Sequence, residues 1–315
     1  MKREEEKAKI ADWEAQRDPI LEGIGAFIDG SRAKEDIRQV ESTMRLGLVL
    51  DMRTELFKKL QMKNIEFYIF PAAYLLLILF VEMGIAFDDP EIGFWFYPIV
   101  LFILLAHSTI ARSKKLSDFL GALTIVPLIG MLRLSIPLAP FSYILWFLII
   151  SVPIFIAIFV CIYVQGIRLK DIKLAIPKLR QIPIEVGIIF AIIPFGFIEY
   201  YIIRPAPLIS ELNIAPMAVA MIIFVICTGF LEELLFRGLL QYNAKKMVGS
   251  WGLLLVTLLY ASLYVTNLSM PDVFLAFAIG GLYSIVVEKT GSLLGVSISH
   301  GVLNFILFII APFYF

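Results

Sequence analysis

Two regimes of hydrophobic pattern divide the chain. From Met1 to Asn64, apolar residues recur at helical spacing among charged ones. Ile20, Leu21, Ile24, Phe27 and Ile28 fall on one helix face, and Leu56, Phe57 and Leu60 on another, with Gly23, Gly25 and Gly30 interrupting the first pattern. This predicts a pair of amphipathic helices packed on each other or on a membrane surface; docking of a partner is the other use such a segment has. From Ile65 onward, largely apolar runs replace the mixture, near 65–87, 92–111, 119–138, 141–165, 183–204, 214–240, 250–267, 271–289 and 292–312. Each is long enough to cross a hydrocarbon core of about 30 Å. Backbone polar groups in lipid must be satisfied within the segment, so these runs are helices. The predicted fold class is all-α: a polytopic membrane helix bundle of about eight to nine transmembrane helices, preceded by a cytoplasmic, charged, amphipathic helical segment. The predicted organisation is 1–64, then transmembrane helices over 65–182, then a helical core over 183–315.

Composition sharpens this picture. Of the 315 residues 60% are hydrophobic and mean hydropathy is +0.87, well above a soluble domain at about 45–50% apolar. The 27 basic and 27 acidic residues cancel, so no field exists to draw nucleic acid. Residues 1–64 hold 13 of each sign, nearly half of all charges. The first 30 residues lack the apolar stretch of a signal peptide. Cys161 and Cys227 sit in apolar runs, which excludes a disulfide framework, and two histidines exclude a histidine-rich metal site. Basic residues gather before the first span (Arg53, Lys58, Lys59, Lys63), after the second (Arg112, Lys114, Lys115), in RLKDIKLAIPKLRQ and at Lys245–Lys246. The alternate loops DDPE, PLAPFS, RPAPLISELN and TNLSMPD are nearly free of them. Basic loops stay cytoplasmic, which predicts a cytoplasmic amino terminus and, with nine spans, an external carboxyl terminus.

Charge inside the spans costs at least about 2.5–3.5 kcal/mol per residue on insertion scales, so each such residue needs a reason. The strongest cluster is Glu232-Glu233-Leu-Leu-Phe236-Arg237-Gly238. Glu233 and Arg237, four apart, share a helix face and pair. Glu232, about 100° round the helix, points elsewhere. A carboxylate without a counter-ion in an apolar setting is a candidate general base. The second cluster is His300-Gly-Val-Leu-Asn304. Its two donors share a face, as an oxyanion hole requires. With inner span ends at Gln241 and Gly291, Glu232 and His300 both lie about 13 Å deep. Plainer roles also fit these residues: snorkelling charges for the first cluster, interhelical hydrogen bonding for the second.

The pattern EExxxR (here EELLFR, then Gly238) on one span and HxxxN (HGVLN) on the last resembles the CAAX protease and bacteriocin-processing family, also called Abi, and within it the CAAX prenyl endopeptidases of the Ras-converting type. The resemblance covers roughly Ile184–Ile310, with GIRLKDIKL like the cytoplasmic lead-in that precedes that core. It implies an intramembrane glutamate-dependent endopeptidase. In it Glu232 activates water, Glu233 and Arg237 form an orienting ion pair, and His300 with Asn304 holds the oxyanion. It implies hydrolysis near the cytoplasmic leaflet, a hydrophobic or prenylated peptide substrate and contact with membrane lipid. A further family motif, an aromatic residue and then histidine four positions on, falls at Tyr260-Ala-Ser-Leu-Tyr264. Tyr264 stands where the family has histidine. A tyrosine donates and accepts hydrogen bonds but is no base near neutral pH, its ordinary pKa being about 10. The alternative reading is therefore a catalytically impaired or inactive scaffold that binds a lipidated peptide or partner protein, with residues 1–64 as its recruiting arm. A transporter has less support, as no inverted repeat is visible.

No cofactor and no metal is expected, because HExxH is absent and a glutamate paired to Arg237 is a poor zinc ligand. Among the remaining polar residues, His107 reads as a boundary residue reaching headgroups. Arg133 reads as a partner of Glu82, Glu185 or Glu199, and Glu288–Lys289 as an interface anchor. Gly280, Gly281 and Gly291 read as sites of close helix approach.

Overall fold

The computed structural model describes residues 65–87, 90–134 and 143–315, and the single position 15. The predicted amphipathic helices of 1–64, the loop PLAPFS and the two aspartates of DDPE lie outside them. The described residues form helices and turns: α1 Ile65–Phe87, α2 Pro90–Ile110, α3 Lys114–Leu123, α4 Ile125–Leu134, α5 Tyr143–Gln165, α6 Ile182–Ala191, α7 Ile193–Ile203, α8 Ile214–Val248, α9 Trp251–Ser262, α10 Met270–Thr290 and α11 Leu294–Tyr314. Proline marks the breaks: Pro127 lies in the first turn of α4, and Pro194 is the second residue of α7, where a missing backbone donor interrupts the ladder.

Among the described residues, eight segments are long and apolar enough to cross a membrane: α1, most of α2, α3 with α4, most of α5, Leu179–Ile203 through α6 and α7, α8, α10 and α11. Large apolar side chains such as Trp95, Phe102, Ile222 and Phe274 are exposed, as a lipid-facing surface requires. The protein is a multi-pass membrane protein with an all-α bundle. The seventh of the nine predicted spans differs. The apolar run 250–267 contains a helix of 12 residues ending at Ser262, followed by a turn and a short 3-10 segment, Val265–Asn267. At about 1.5 Å per residue, α9 is about 18 Å long and falls short of a 30 Å core. Hydropathy persists through the turn and hides the helix end.

Arg133 selects one of its three candidate acids. Its Nη2 donates to both Glu82 oxygens at 2.9 and 2.7 Å, the Tyr97 hydroxyl donates to Glu82 Oε1, and Arg133 Nη1 donates to the Leu263 carbonyl at 3.2 Å. Glu185 instead accepts from the Gly295 amide, joining α6 to α11. His107 does not reach out to headgroups: its Nδ1 lies 2.8 Å from the Tyr74 hydroxyl and its ring meets Phe70 edge-on, tying α2 to α1. Glu288 is more than an interface anchor, since it pairs with Lys245 and accepts from Gln241 Nε2 at 3.0 Å, joining α10 to α8. Gly291 is not a packing residue: it adopts φ +70° with nothing near its missing side chain, and it stops α10.

The contact that positions the site is α8 against α11. A β-carbon at Gly229 would collide with the Ser297 carbonyl, and one at Gly301 would collide with the Val225 backbone. Two missing side chains thus let the helices touch at backbone distance. One turn beyond Gly229 stand Glu232 and Glu233; beside Gly301 stands His300.

Candidate active site

The helix carrying the two glutamates is irregular around them. Over Phe224–Phe230 and again over Leu234–Leu240 its hydrogen bonds widen to the i→i+5 pattern, leaving Leu231–Glu233 as an α-turn between. The facing helix widens likewise over Ile306–Ile310. Such turns are rare and occur frequently at functional sites. Thr228, inside the first of them, bonds back to the Phe224 carbonyl at 2.6 Å.

The two adjacent carboxylates have opposite surroundings. Glu233 is sealed: its side chain is 0% exposed, and its Oε1 meets both Arg237 Nη1 at 3.0 Å and His300 Nδ1 at 2.9 Å. Glu232 keeps 31% of its side-chain surface open, and its Oε2 lies 3.8 Å from His300 Nε2. His300 therefore stands between the two acids, one ring nitrogen toward each. A carboxylate only accepts, so Glu233 fixes a proton on Nδ1. The Arg237 guanidinium lies 4.3 Å from the Tyr260 ring centroid, a cation–π contact, and Gly280 leaves room for it. Its Nε and Nη2, and Glu233 Oε2, find no hydrogen-bond partner among the described residues.

The predicted oxyanion donors are differently engaged. Asn304 Nδ2 donates to Thr228 Oγ1 at 2.9 Å, tying α11 to α8. An amide nitrogen carries two hydrogens, so one remains. Tyr264 joins its hydroxyl to that of Tyr260 at 2.7 Å. Both tyrosines, with Glu199 and His300, line a small cavity of about 10 Å³, enough for about one water. His300 is common to this cavity and the carboxylate cluster. Glu232, Glu233, Arg237 and Tyr264 thus gather around His300, while Asn304 stands one turn further along the same helix, bonded to Thr228.

Two participants were not legible as such. Glu199, buried in the apolar run IPFGFIEYYII, reads in sequence only as a possible partner of Arg133, yet on α7 it lines the cavity. Tyr283 donates or accepts at Ser299 Oγ, 2.9 Å away, and packs its ring 6.2 Å from that of His300. Among the described residues no group of three or more His, Cys, Asp or Glu is placed to hold a metal ion.

Residues 214–306 match the family model described as type II CAAX prenyl endopeptidase Rce1-like. The match spans less than a third of the 315-residue chain and includes Glu232, Glu233, Arg237, Tyr264, His300 and Asn304, but neither Glu199 nor the lead-in loop. No curated protein and no solved structure matches the chain. The resemblance to the CAAX protease and bacteriocin-processing family is supported on this core segment.

Proposed function

We propose that the protein is an intramembrane glutamate-dependent endopeptidase acting on a hydrophobic or prenylated peptide near the cytoplasmic leaflet, with its amino terminus in the cytosol. The observation that carries this reading is the asymmetry of the two acids: Glu233 is locked by Arg237 and His300, while Glu232 keeps an open face beside the same imidazole. In the reaction, Glu232 takes a proton from water as the oxygen attacks the scissile carbonyl. The carbonyl oxygen gains the negative charge, and the proton passes to the leaving amine as the C–N bond breaks. Asn304 offers its remaining N–H to the oxyanion. His300 offers Nε2–H only as imidazolium, because Glu233 already holds the Nδ1 proton. Glu199 brings a further carboxyl to the cavity that Tyr264 lines.

The test is cleavage of a prenylated CAAX peptide by the full chain in vesicles. Glu232→Gln should lower the rate about 10²–10⁴-fold, the range of a lost acid–base partner. Equal rates in both proteins overturn the reading. One observation favours a second reading: Tyr264 occupies the place of the family's histidine and is already bonded to Tyr260. In that reading the scaffold binds a lipidated peptide or partner without cutting it, and the wild type shows no cleavage above an empty vesicle. Tyr264→His should raise the rate of a merely weakened enzyme, whereas an unchanged rate shows that residue 264 is not the motif position.

A further inference from the structure

A second cavity lies on the face of the bundle that carries the basic loop between α5 and α6. Its volume is about 200 Å³, and its lining includes Lys173, Lys245, Lys246, Asp171 and Glu288, with Arg237 among them. This is smaller than the roughly 300–1,000 Å³ of a pocket for a drug-sized ligand. The charges are not balanced. Asp171 is taken by Arg168, through contacts of 2.8 and 3.1 Å, and Glu288 by Lys245 and Gln241. Lys173 and Lys246 have no carboxylate partner among the described residues; Lys246 rests over the Tyr242 ring at 4.6 Å. Arg237 borders the cavity, but its side chain is fully buried against Glu233 and the Tyr260 ring, which leaves the two lysines as the cations that face it.

The cavity wall is held rigidly and at a cost. Lys173 sits in the left-handed region at φ +64°, where a lysine is uncommon, and its carbonyl accepts from the Leu293 amide at 3.1 Å. The loop also closes on Gly238, where a β-carbon would stand 3.3 Å from the Ile172 carbonyl. Backbone held out of its preferred region gathers at ligand sites. Here it places a cation, Lys173, at the wall of the pocket.

We infer that this cavity is an anion site for a phosphate group of net negative charge, on a lipid headgroup or free in solution, recognised by Lys173 and Lys246. The site stands independently of whether the chain cleaves peptides.

Two arms distinguish the sources. Inorganic phosphate is titrated calorimetrically into the full chain in detergent. Separately, lipid retention is measured by native mass spectrometry from phosphatidylcholine nanodiscs with and without phosphatidylglycerol. Binding in the first arm alone assigns free phosphate, in the second alone a headgroup, and in both the shared phosphate chemistry. Lys173→Asn combined with Lys246→Gln should weaken the observed binding about tenfold or more, the scale of lost charged hydrogen bonds. Arg204→Gln, on the loop after α7, should leave it unchanged. Lys173→Asn relieves the left-handed backbone, so its melting temperature should hold or rise while binding falls; a purely structural lysine would show no loss of binding. No binding in either arm, or equal binding by the double variant, overturns the inference.

Discussion

Among the described residues the bundle contains two arginine–glutamate pairs, Arg133–Glu82 between α4 and α1 and Arg237–Glu233 within α8. In the first, Glu82 is saturated: both oxygens accept from Arg133, one accepts also from Tyr97, and Arg133 spends its other arm on a backbone carbonyl. One third of the Arg133 side chain stays exposed. In the second, both partners are wholly buried, a single oxygen of Glu233 serves two donors, and three polar atoms find no hydrogen-bond partner among the described residues. A buried polar group left unmade costs about 1–3 kcal/mol, more when charged. The first arrangement minimises that cost and fastens helices. The second tolerates it, and it does so beside an imidazole and an open carboxylate.

The largest effect that separates the two is on rate. Glu232→Gln keeps the side chain's size, and its nearest ionic contact, His300 Nε2, is 3.8 Å away, so it should raise the barrier by about 3–5 kcal/mol while the melting temperature in detergent stays near the wild-type value. A parallel loss of melting temperature would place Glu232 with the fastening residues instead.

The next effect is on stability, at the other pair. Arg133→Met leaves the fully buried Glu82 without its counter-ion and should destabilise the bundle by about 3–5 kcal/mol, read as a fall in thermal midpoint. Glu82→Met should cost less, because Arg133 can turn its exposed third toward solvent. The double replacement should recover most of the loss, since two well-packed apolar side chains dispense with both desolvation penalties. Recovery failing altogether would mean that the Tyr97 and Leu263 contacts, not the ion pair, fasten α4.

How far these pairs were legible depends on distance along the chain. Glu233 and Arg237 are four residues apart, and helix geometry alone puts them together. His300 and Asn304 follow by the same rule on their own helix, and equal depth aligns them with Glu232. Arg133 had three candidate acids because its partner lies 51 residues away, and no local period encodes which helix becomes its neighbour. Glu199 was hidden for the same reason. The widened turns flanking Leu231–Glu233 leave no mark in the hydrophobic pattern, which tolerates one extra residue per turn without losing its apolar face. The end of α9 was hidden because Leu263, Tyr264 and Val265 continue the apolar run through a turn.

A smaller effect tests the seam that brings the clusters together. Gly229→Ala places a methyl group against the Ser297 carbonyl, a backbone atom that no rotamer change can move. Overpacking of this kind costs about 1–3 kcal/mol. The two helices must separate to admit it, so cleavage should fall together with the thermal midpoint, unlike the Glu232→Gln case. Full activity with a lowered midpoint would show that the seam fastens the bundle without setting the distance from Glu232 to His300.

The smallest effect belongs to a third pair, outside the spans. Arg168 donates from Nε and Nη2 to the two Asp171 oxygens at 2.8 and 3.1 Å, a fork as well formed as any in the bundle. The Arg168 hydrogen bonds hold the Asp171 carboxyl below its ordinary value. A lowered native value means that the stabilisation is present above the unfolded carboxyl's pKa, about 3.9, and is lost as pH falls through the native value. The difference in thermal midpoint between wild type and Arg168→Gln should therefore be small at neutral pH, shrink in salt as exposed charges are screened, and vanish once the pH falls below the lowered native value of the Asp171 carboxyl. Were the difference as large as that for Arg133→Met, geometry alone would set the strength of a pair. The contrast between the two buried pairs rests on the opposite premise: water around Arg168 takes back most of what the same contacts yield where solvent is excluded, and only there does an unsatisfied arginine become a lever on its neighbours.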